Sequence, residues 1–367
     1  MNKICHLTSV HTPFDTRIFR KECVSLTNAD YKVTLIVSNT QDDVVENINI
    51  RSLTKPKTRS ERITKTIWKV LEYAIDENAD IYHFHDPELI PIGLILKGRG
   101  KKVIYDVHED VPRQILSSKN YIPNFFRRLV SGTVEKIENF AVKYFDAVVT
   151  ATPYIRDRFL KIGCNAIDIN NYPILDELYI AKTTWEQKEK AVCYVGGIWD
   201  KRGLFEMVEA IGKTNVSLIL AGKFAYSEQR DKALTMPGWN NIQELGYLNR
   251  EGVAQTLANS MAGLVVLHPI INYLYALPVK MFEYMCAGIP VIASNIPLWK
   301  EIIEGNQCGI CVDPMNYEAI AKAIQWIVDN PDEAKRMGEN GRKAVEEKYN
   351  WENEAKKLRA LYKELLS

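Results

Sequence analysis

Lys280 and Glu283 stand three residues apart in the segment ALPVKMFEYMCAGIPVIAS. Pro278 suits a helix start there, and Gly288 and Pro290 a helix stop. Positions three apart on a helix share a face, so a cation and a carboxylate point the same way while Phe282, Met285 and Cys286 can turn to a core. Upstream, GGIWDKRG follows the apolar run AVCYV. Gly196 and Gly197 let the backbone approach an anion at the next helix N-terminus, and Lys201 and Arg202 add positive charge. The chemistry these groups can do together is to hold an anionic ligand. On spacing alone, a surface ion pair at Lys280 and Glu283 and a plain turn at the two glycines stay open as alternatives.

A second set is rich in imidazole: His83, His85 and Asp86 close one apolar run, and His108, Glu109 and Asp110 close another. His83 and His85 fall on one face of a strand, and with the second trio they could ligate a metal if the loops met. No recognised ligand motif is present, so the expectation is no metal, with His108 a polar residue of a cleft. The loop His11 to Arg17, with Asp15, is a third candidate. Cys308 and Cys311 form a lone C-x-x-C without a partner set, and the odd total of seven cysteines reads as reduced thiols.

What must position these residues is an alternation of apolar strands and amphipathic helices. KICHLTSV, KVTLIVS, DIYHFH, KVIYDVHE and DAVVTAT read as strands, with helices over a stretch carrying Ile18, Phe19, Cys23 and Leu26, over about 61–78, from about 88, and over about 130–144. After the polar stretch from Thr183 to Lys190 the pattern restarts with AVCYVGG, helix 202–212, VSLILAG, NIQELGYL, helix 250–258, GLVVLHP, helix 279–287, PVIAS, a short helix near 297–304, GICVD and helix 316–329. Strands that alternate with helices imply parallel sheets, and such sheets bind ligands beyond the carboxyl ends of their strands. The expected fold is α/β, two doubly wound Rossmann-like domains over 1–178 and 179–349, facing each other across a cleft, with a C-terminal helix over 350–367 packing back on the first.

The length of 367 residues supports two domains. With 46% apolar residues, 25% charged residues and a net charge of +1, the composition is that of an ordinary globular protein and argues against a nucleic-acid partner. MNKICHLTSV lacks a secretory pattern, and no apolar run approaches the roughly 20 residues of a membrane span, so a cytoplasmic location is expected.

The segments HTPFDTRIFRKE, DIYHFHDPEL, YDVHED, INNYP, YVGGIWDKRGL, LILAGKF, LGYL and P-x-K-x-x-E-Y-x-x-A-G-x-P-V-I-A, in this order, resemble the retaining glycosyltransferases of the GT-B fold, glycosyltransferase family four, also called glycosyl transferases group one. The resemblance covers nearly the whole chain. It implies a nucleotide-diphosphate sugar donor, a UDP-sugar or GDP-sugar, with no metal and no cofactor. Arg202 and Lys280 would meet the phosphates, Glu283 the ribose and His108 the donor sugar, with Asp15 and Arg17 at the cleft floor. Gly196, Gly197, Gly222, Lys223 and Leu248 match nucleotide-holding loops. The resemblance also implies a mechanism in which the acceptor attacks on the face the leaving group departs, a phosphate oxygen taking its proton. Two positions depart from the pattern: Gly197 stands where many relatives carry an arginine, and Tyr275 where they carry a second glutamate.

Lys55, Lys57, Arg59, Arg62, Lys65 and Lys69, opposed only by Glu61, make a local basic face, and Tyr121, Ile122, Phe125, Phe126, Arg127 and Arg128 mix aromatic and basic residues as interfacial segments do. They are read either as a surface for contact with the inner face of the cytoplasmic membrane or as a merely solvated face with packed core aromatics; with docking, the expected acceptor is a saccharide or lipid-linked one in cell-surface polysaccharide assembly. A nucleotide-sugar epimerase or hydrolase, and a non-catalytic nucleotide-sugar-binding protein, are the competing readings. A dinucleotide-dependent oxidoreductase fits less well, because SVHTPFDTR replaces the G-x-G-x-x-G turn after the first strand.

Overall fold

The structure is a computed structural model that describes residues 1–118, 123–180 and 184–367. It contains two compact units, Met1–Asn171 with Glu352–Ser367, and Tyr172–Trp351. The division falls several residues before the expected 178/179 border, and the last helix, Trp351–Leu366, belongs to the first unit from Glu352 onward.

The first unit is built on eight strands, β1 (Lys3–Leu7), β2 (Lys32–Ser38), β3 (Asp43–Val45), β4 (Ile48–Leu53), β5 (Ile81–Phe84), β6 (Lys102–Val107), β7 (Ala147–Thr150) and β8 (Ala166–Asp168), in the order β3-β4-β2-β1-β5-β6-β7-β8. All neighbours are parallel except β3 and β4. That hairpin is absent from the sequence reading. It turns at Glu46 and Asn47, both with positive φ, the geometry that suits the right-handed twist of a two-residue hairpin. After β2 and β4 the chain crosses to the other side of β1 to make β5, so the order reverses between β1 and β5, and the loops after those strands carry His11 and His85 to Glu88.

Successive strand residues face opposite sides of the sheet. On one side Cys5, Leu7, Tyr82, Phe84, Tyr105 and Val107 join an apolar core. The other side carries His6 and His83, paired in register, together with Asp106, all fully buried. Such a polar face can be buried only if it is covered by partners. The cover includes Thr16–Cys23, which winds as a π-helix rather than as the α-helix expected from Ile18, Phe19, Cys23 and Leu26, and Tyr362 of the last helix. The helix expected over about 130–144 begins earlier, at Asn124, and runs to Ala141.

The second unit holds β9 (Ala191–Val195), β10 (Ser217–Ala221), β11 (Ile242–Gly246), β12 (Ala262–Val265), β13 (Val291–Ser294) and β14 (Gly309–Val312), in the order β11-β10-β9-β12-β13-β14, all parallel. Alternate residues of β9 enter two cores, Ala191 and Cys193 one, Val192 and Tyr194 the other. Here the order reverses between β9 and β12, which places the loop from Gly196 to Gly203 at the switch point. All seven cysteines are free.

Candidate functional site

In the second unit, the loops after β9, β10 and β11 are tied to one another by backbone hydrogen bonds. Gly196 N donates to Ala221 O at 2.9 Å, and Gly222 N to Gly246 O at 2.7 Å. Gly196 and Gly222 both have positive φ, and a Cβ on Gly222 would stand 1.8 Å from Gly196 O, so this close approach requires glycine. Behind Gly196 sits the ammonium of Lys280: a Cβ there would meet Lys280 Nζ at 3.0 Å and Arg202 Nη1 at 3.7 Å. Gly196, Gly197, Arg202 and Lys280 are thus brought together. The Gly197 departure has a steric reason as well, because a Cβ at that position would stand 2.8 Å from the Trp199 ring.

Lys280 lies in the helix Val279–Cys286, with its Nζ 3.5 Å from the centroid of the Tyr194 ring and no hydrogen-bond partner. Burial, with the charge of Arg202, pushes its pKa well below that of an ordinary lysine, and Glu283 pulls weakly the other way. The Arg202 guanidinium lies 3.9 Å from the centroid of the Trp199 ring, and its buried Nε has no partner. A buried lysine and a half-buried arginine side by side, each with an unused donor, form a cradle for an anion.

Glu283, one turn along, is engaged by Arg250, a residue absent from the sequence reading. Arg250 donates from Nη1 to Glu283 Oε1 and from Nη2 to Glu177 Oε2, each at 2.7 Å. Lys223 is exposed, its ammonium 5.1 Å from the Tyr247 ring centroid, and Leu248 packs against the core. Tyr275 is half exposed at the end of the short helix Ile271–Leu274.

In the first unit, Arg17 departs from its expected place. It is 4% exposed and spends its donors on Asp106 (Nε at 3.0 Å and Nη2 at 2.9 Å) and on Ile169 O (2.7 Å), with Glu22 also within 3.1 Å of Nε. It therefore supports the site instead of meeting a ligand. Asp15 likewise caps the π-helix, accepting from Arg17 N and Ile18 N at 2.8 and 3.0 Å. His108 Nε2 lies 2.9 Å from Asp106 Oδ2, with His85 Nδ1 beside both. Asp106 was legible in principle, since it precedes His108 by two residues at a strand end and so shares its face.

The ligand atoms of Glu22, His83, His85 and Asp106 lie within 4.8 Å of one another, a set with metal-binding residue types. The Arg17 guanidinium already touches both carboxylates there and supplies the positive charge a metal would bring. Burial and the neighbouring Asp106 push the Glu22 carboxyl well up, whereas Arg17 and His108 hold Asp106 well down against its burial. The Arg17 guanidinium is thereby matched to the ionised Asp106. Asp86 is held at about 2: against its burial, the bond from His11 and those from Ser9 and Thr8 stabilise the charge.

His108 and Asp86 open on a cavity of about 970 Å3. Its remaining walls are largely aliphatic, among them Ile63, Ile90, Ile115, Val130, Val134 and Ile137. The basic face from Lys55 to Lys69 is exposed except at Arg62, which pairs with Glu88 at 2.8 Å. In the helix Asn124–Ala141, Phe125, Phe126, Leu129, Ile137 and Phe140 are exposed. Tyr121 and Ile122 lie outside the described residues. Among the described residues no helix is long and apolar enough to cross a membrane.

Comparison with known proteins adds to this geometry. Residues 16–170 match the family described as Glycosyltransferase Family 4, and residues 176–344 the family described as Glycosyl transferases group 1. A D-rhamnosyltransferase of Pseudomonas aeruginosa is 24% identical over 71% of this chain and 68% of its own. Sucrose-phosphate synthase from Thermosynechococcus elongatus superposes with a TM-score of 0.81 at 18% identity, over 100% of this chain and 99% of its own. The Anabaena protein HepE, solved in complex with UDP-glucose, superposes with a TM-score of 0.74 at 14% identity, over 99% of each chain. At these identities the two structures establish the GT-B fold alone.

Proposed function

Because this chain belongs to the GT-B glycosyltransferases of family-four type, we propose that it transfers a sugar, with retention at the anomeric carbon, from a UDP- or GDP-sugar to a saccharide or lipid-linked acceptor in cell-surface polysaccharide assembly. The observation that carries this reading is the buried Lys280 Nζ beside the half-buried Arg202, whose buried Nε, like Lys280 Nζ, has no hydrogen-bond partner among the described residues, next to the close-packed Gly196 and Gly222. When the bond between the anomeric carbon and the diphosphate oxygen breaks, negative charge grows on the leaving group. Fixed cations in a site poor in water lower that barrier electrostatically, and no metal is needed to supply the charge. The acceptor oxygen forms the new bond on the face the diphosphate leaves, and its proton passes to a phosphate oxygen. Glu283, held by Arg250, accepts from the ribose hydroxyls. In the first unit, His108 serves turnover rather than nucleotide affinity.

The aliphatic cavity beside His108 supports an acceptor with an apolar portion, and the basic face with the exposed phenylalanines supports docking on anionic lipid at the cytoplasmic side of the membrane. The donor reading is tested by a thermal-shift panel of uridine, guanosine and adenosine diphosphates and their sugars, because selective binding raises the melting temperature. A shift with one base is expected, and none across a saturating panel refutes the reading. For docking, sedimentation with anionic vesicles at low salt is decisive, since a protein that stays in the supernatant does not dock.

A further inference from the structure

The polar face of the first sheet assigns the hydrogens of its imidazoles. Asp106 Oδ2 lies 2.9 Å from His108 Nε2, 3.1 Å from His85 Nδ1 and 3.0 Å from Arg17 Nε, and Oδ1 lies 2.9 Å from Arg17 Nη2. An ionised carboxylate only accepts, so each nitrogen facing it carries a hydrogen. His108 Nε2 and His85 Nδ1, 3.2 Å apart, therefore both donate to Asp106 and not to each other. A neutral His85 then has a bare Nε2, and His6 Nδ1, 2.9 Å away, must donate to it. The rings of His6, His83 and His85 are fully buried, which favours their neutral forms.

By the same logic a neutral His108 has a bare Nδ1. No described residue bonds that atom, while the ring lines the cavity and keeps about a fifth of its side chain exposed. We infer that Asp106 is a positioning residue for His108: it takes the Nε2 hydrogen and so fixes the ring with the Nδ1 lone pair free to accept from a substrate hydroxyl, while Arg17 keeps Asp106 ionised and oriented. This rests on the reading that His108 serves turnover. It makes His108 an acceptor toward the sugar substrates rather than a cation toward the leaving group, which in the second unit is the part of Arg202 and Lys280.

The test begins with the wild-type full chain, 15N-labelled at histidine, in which two-bond nitrogen–proton couplings report each tautomer. His108 is expected as the Nε2–H form and His85 and His6 as Nδ1–H forms; His108 found as Nδ1–H overturns the inference, whatever the enzyme's substrates prove to be. In Asp106→Asn a carboxamide N–H can face the ring, which is expected to turn His108 to the Nδ1–H form. Release of UDP or GDP from the nucleotide sugar that the protein binds should then slow by roughly a hundred- to ten-thousandfold, with nucleotide Kd unchanged. A folded Asp106→Asn protein with unaltered turnover also overturns the inference, and if that variant does not fold, the wild-type spectrum decides. His108→Ala separates the two readings: unchanged turnover there removes His108 from the reaction and leaves the tautomer assignment standing on its spectrum.

Discussion

Arg250 donates to Glu283 Oε1 at 2.7 Å and with its other terminal nitrogen to Glu177, so the carboxylate expected to meet the ribose is held from behind by a guanidinium. The pair is partly buried, with Arg250 28% and Glu283 12% exposed in their side chains. Removing the arginine leaves two carboxylates facing one another without their shared cation.

Arg250→Ala is therefore expected to weaken nucleotide binding about ten- to a hundredfold, an indirect effect through Glu283. Arg250→Lys, which keeps the charge but cannot bridge both carboxylates in a fork, should fall between. Calorimetric titration with the preferred nucleoside diphosphate checks this, and unchanged affinity in Arg250→Ala rules out the supporting role.

Lys280→Ala and Arg202→Ala should each cost about ten- to a hundredfold in affinity for the nucleoside diphosphate while leaving the bare nucleoside unaffected. The free Lys280 has a depressed pKa, and a diphosphate beside it raises that value. Between the two values, binding must take up a proton. Titrations over a series of pH values below the ordinary lysine range, in buffers of different ionisation enthalpy, should show that uptake in the wild type and not in Lys280→Ala. Equal losses for nucleoside and diphosphate would remove these cations from the phosphate site.

The two alternating series were legible because apolar runs, Gly-Gly after a strand and Pro-bounded helices are local signals, whereas the meeting of the Gly196 loop with Lys280 was implied by the family resemblance. Arg250 was not, since its meaning depends on Glu283, 33 residues away, and Glu177, 73 residues away. Arg17 was legible as a residue and misplaced in role, because its partners Asp106 and Ile169 are fixed by strand order and not by spacing. The π-helical winding of Thr16–Cys23 leaves the apolar pattern close to that of an α-helix, so periodicity cannot report it.

Gly222→Ala should fail to fold or lose more than about 3 kcal/mol, since φ is +147° and the new Cβ would lie 1.8 Å from the backbone oxygen of Gly196. Gly132→Ala is the control. It sits inside the helix Asn124–Ala141 with nothing within 4 Å of the added carbon, and should gain about 0.5–1 kcal/mol. Urea denaturation compares the two, and a well-folded Gly222→Ala protein of wild-type stability contradicts the close approach.

Acid should destabilise the first unit through its buried imidazoles. Burial pushes His6 and His83 well below the ordinary histidine value and His85 down to about 4, with Asp106 pulling His85 partly back. Their unfolded forms take up protons near pH 6.5. The unfolded chain thus binds more protons than the folded one, and stability present above about pH 6.5 is lost as pH falls toward 4, by about 1.4 kcal/mol per pH unit for each ring. Glu22, pushed well upward, and His11, Glu138 and Glu354, also raised, work against this, so a falling midpoint requires the three rings to outweigh them. A urea midpoint that falls between pH 7 and pH 5 is expected. A flat or rising midpoint shows that the three rings do not outweigh them.

Tyr362 couples the end of the chain to that same cluster: its hydroxyl lies 2.8 Å from His83 Nδ1 and 3.4 Å from His6 Nε2, and its ring is fully buried. Tyr362→Phe keeps the ring and removes only the hydroxyl, leaving a buried imidazole nitrogen without its partner, which should cost about 1–3 kcal/mol. Tyr362→Ala adds the loss of a large buried ring and should cost about 3–5 kcal/mol. Both changes lie in the first unit and the cation cradle in the second, so nucleotide affinity should survive in both variants while the melting temperature falls in the order wild type, Phe, Ala. If Tyr362→Phe melts with the wild type, the hydroxyl holds nothing and the last helix is kept in place by its apolar contacts and by Glu354 and Lys357, which bond Asn170 and Asp168.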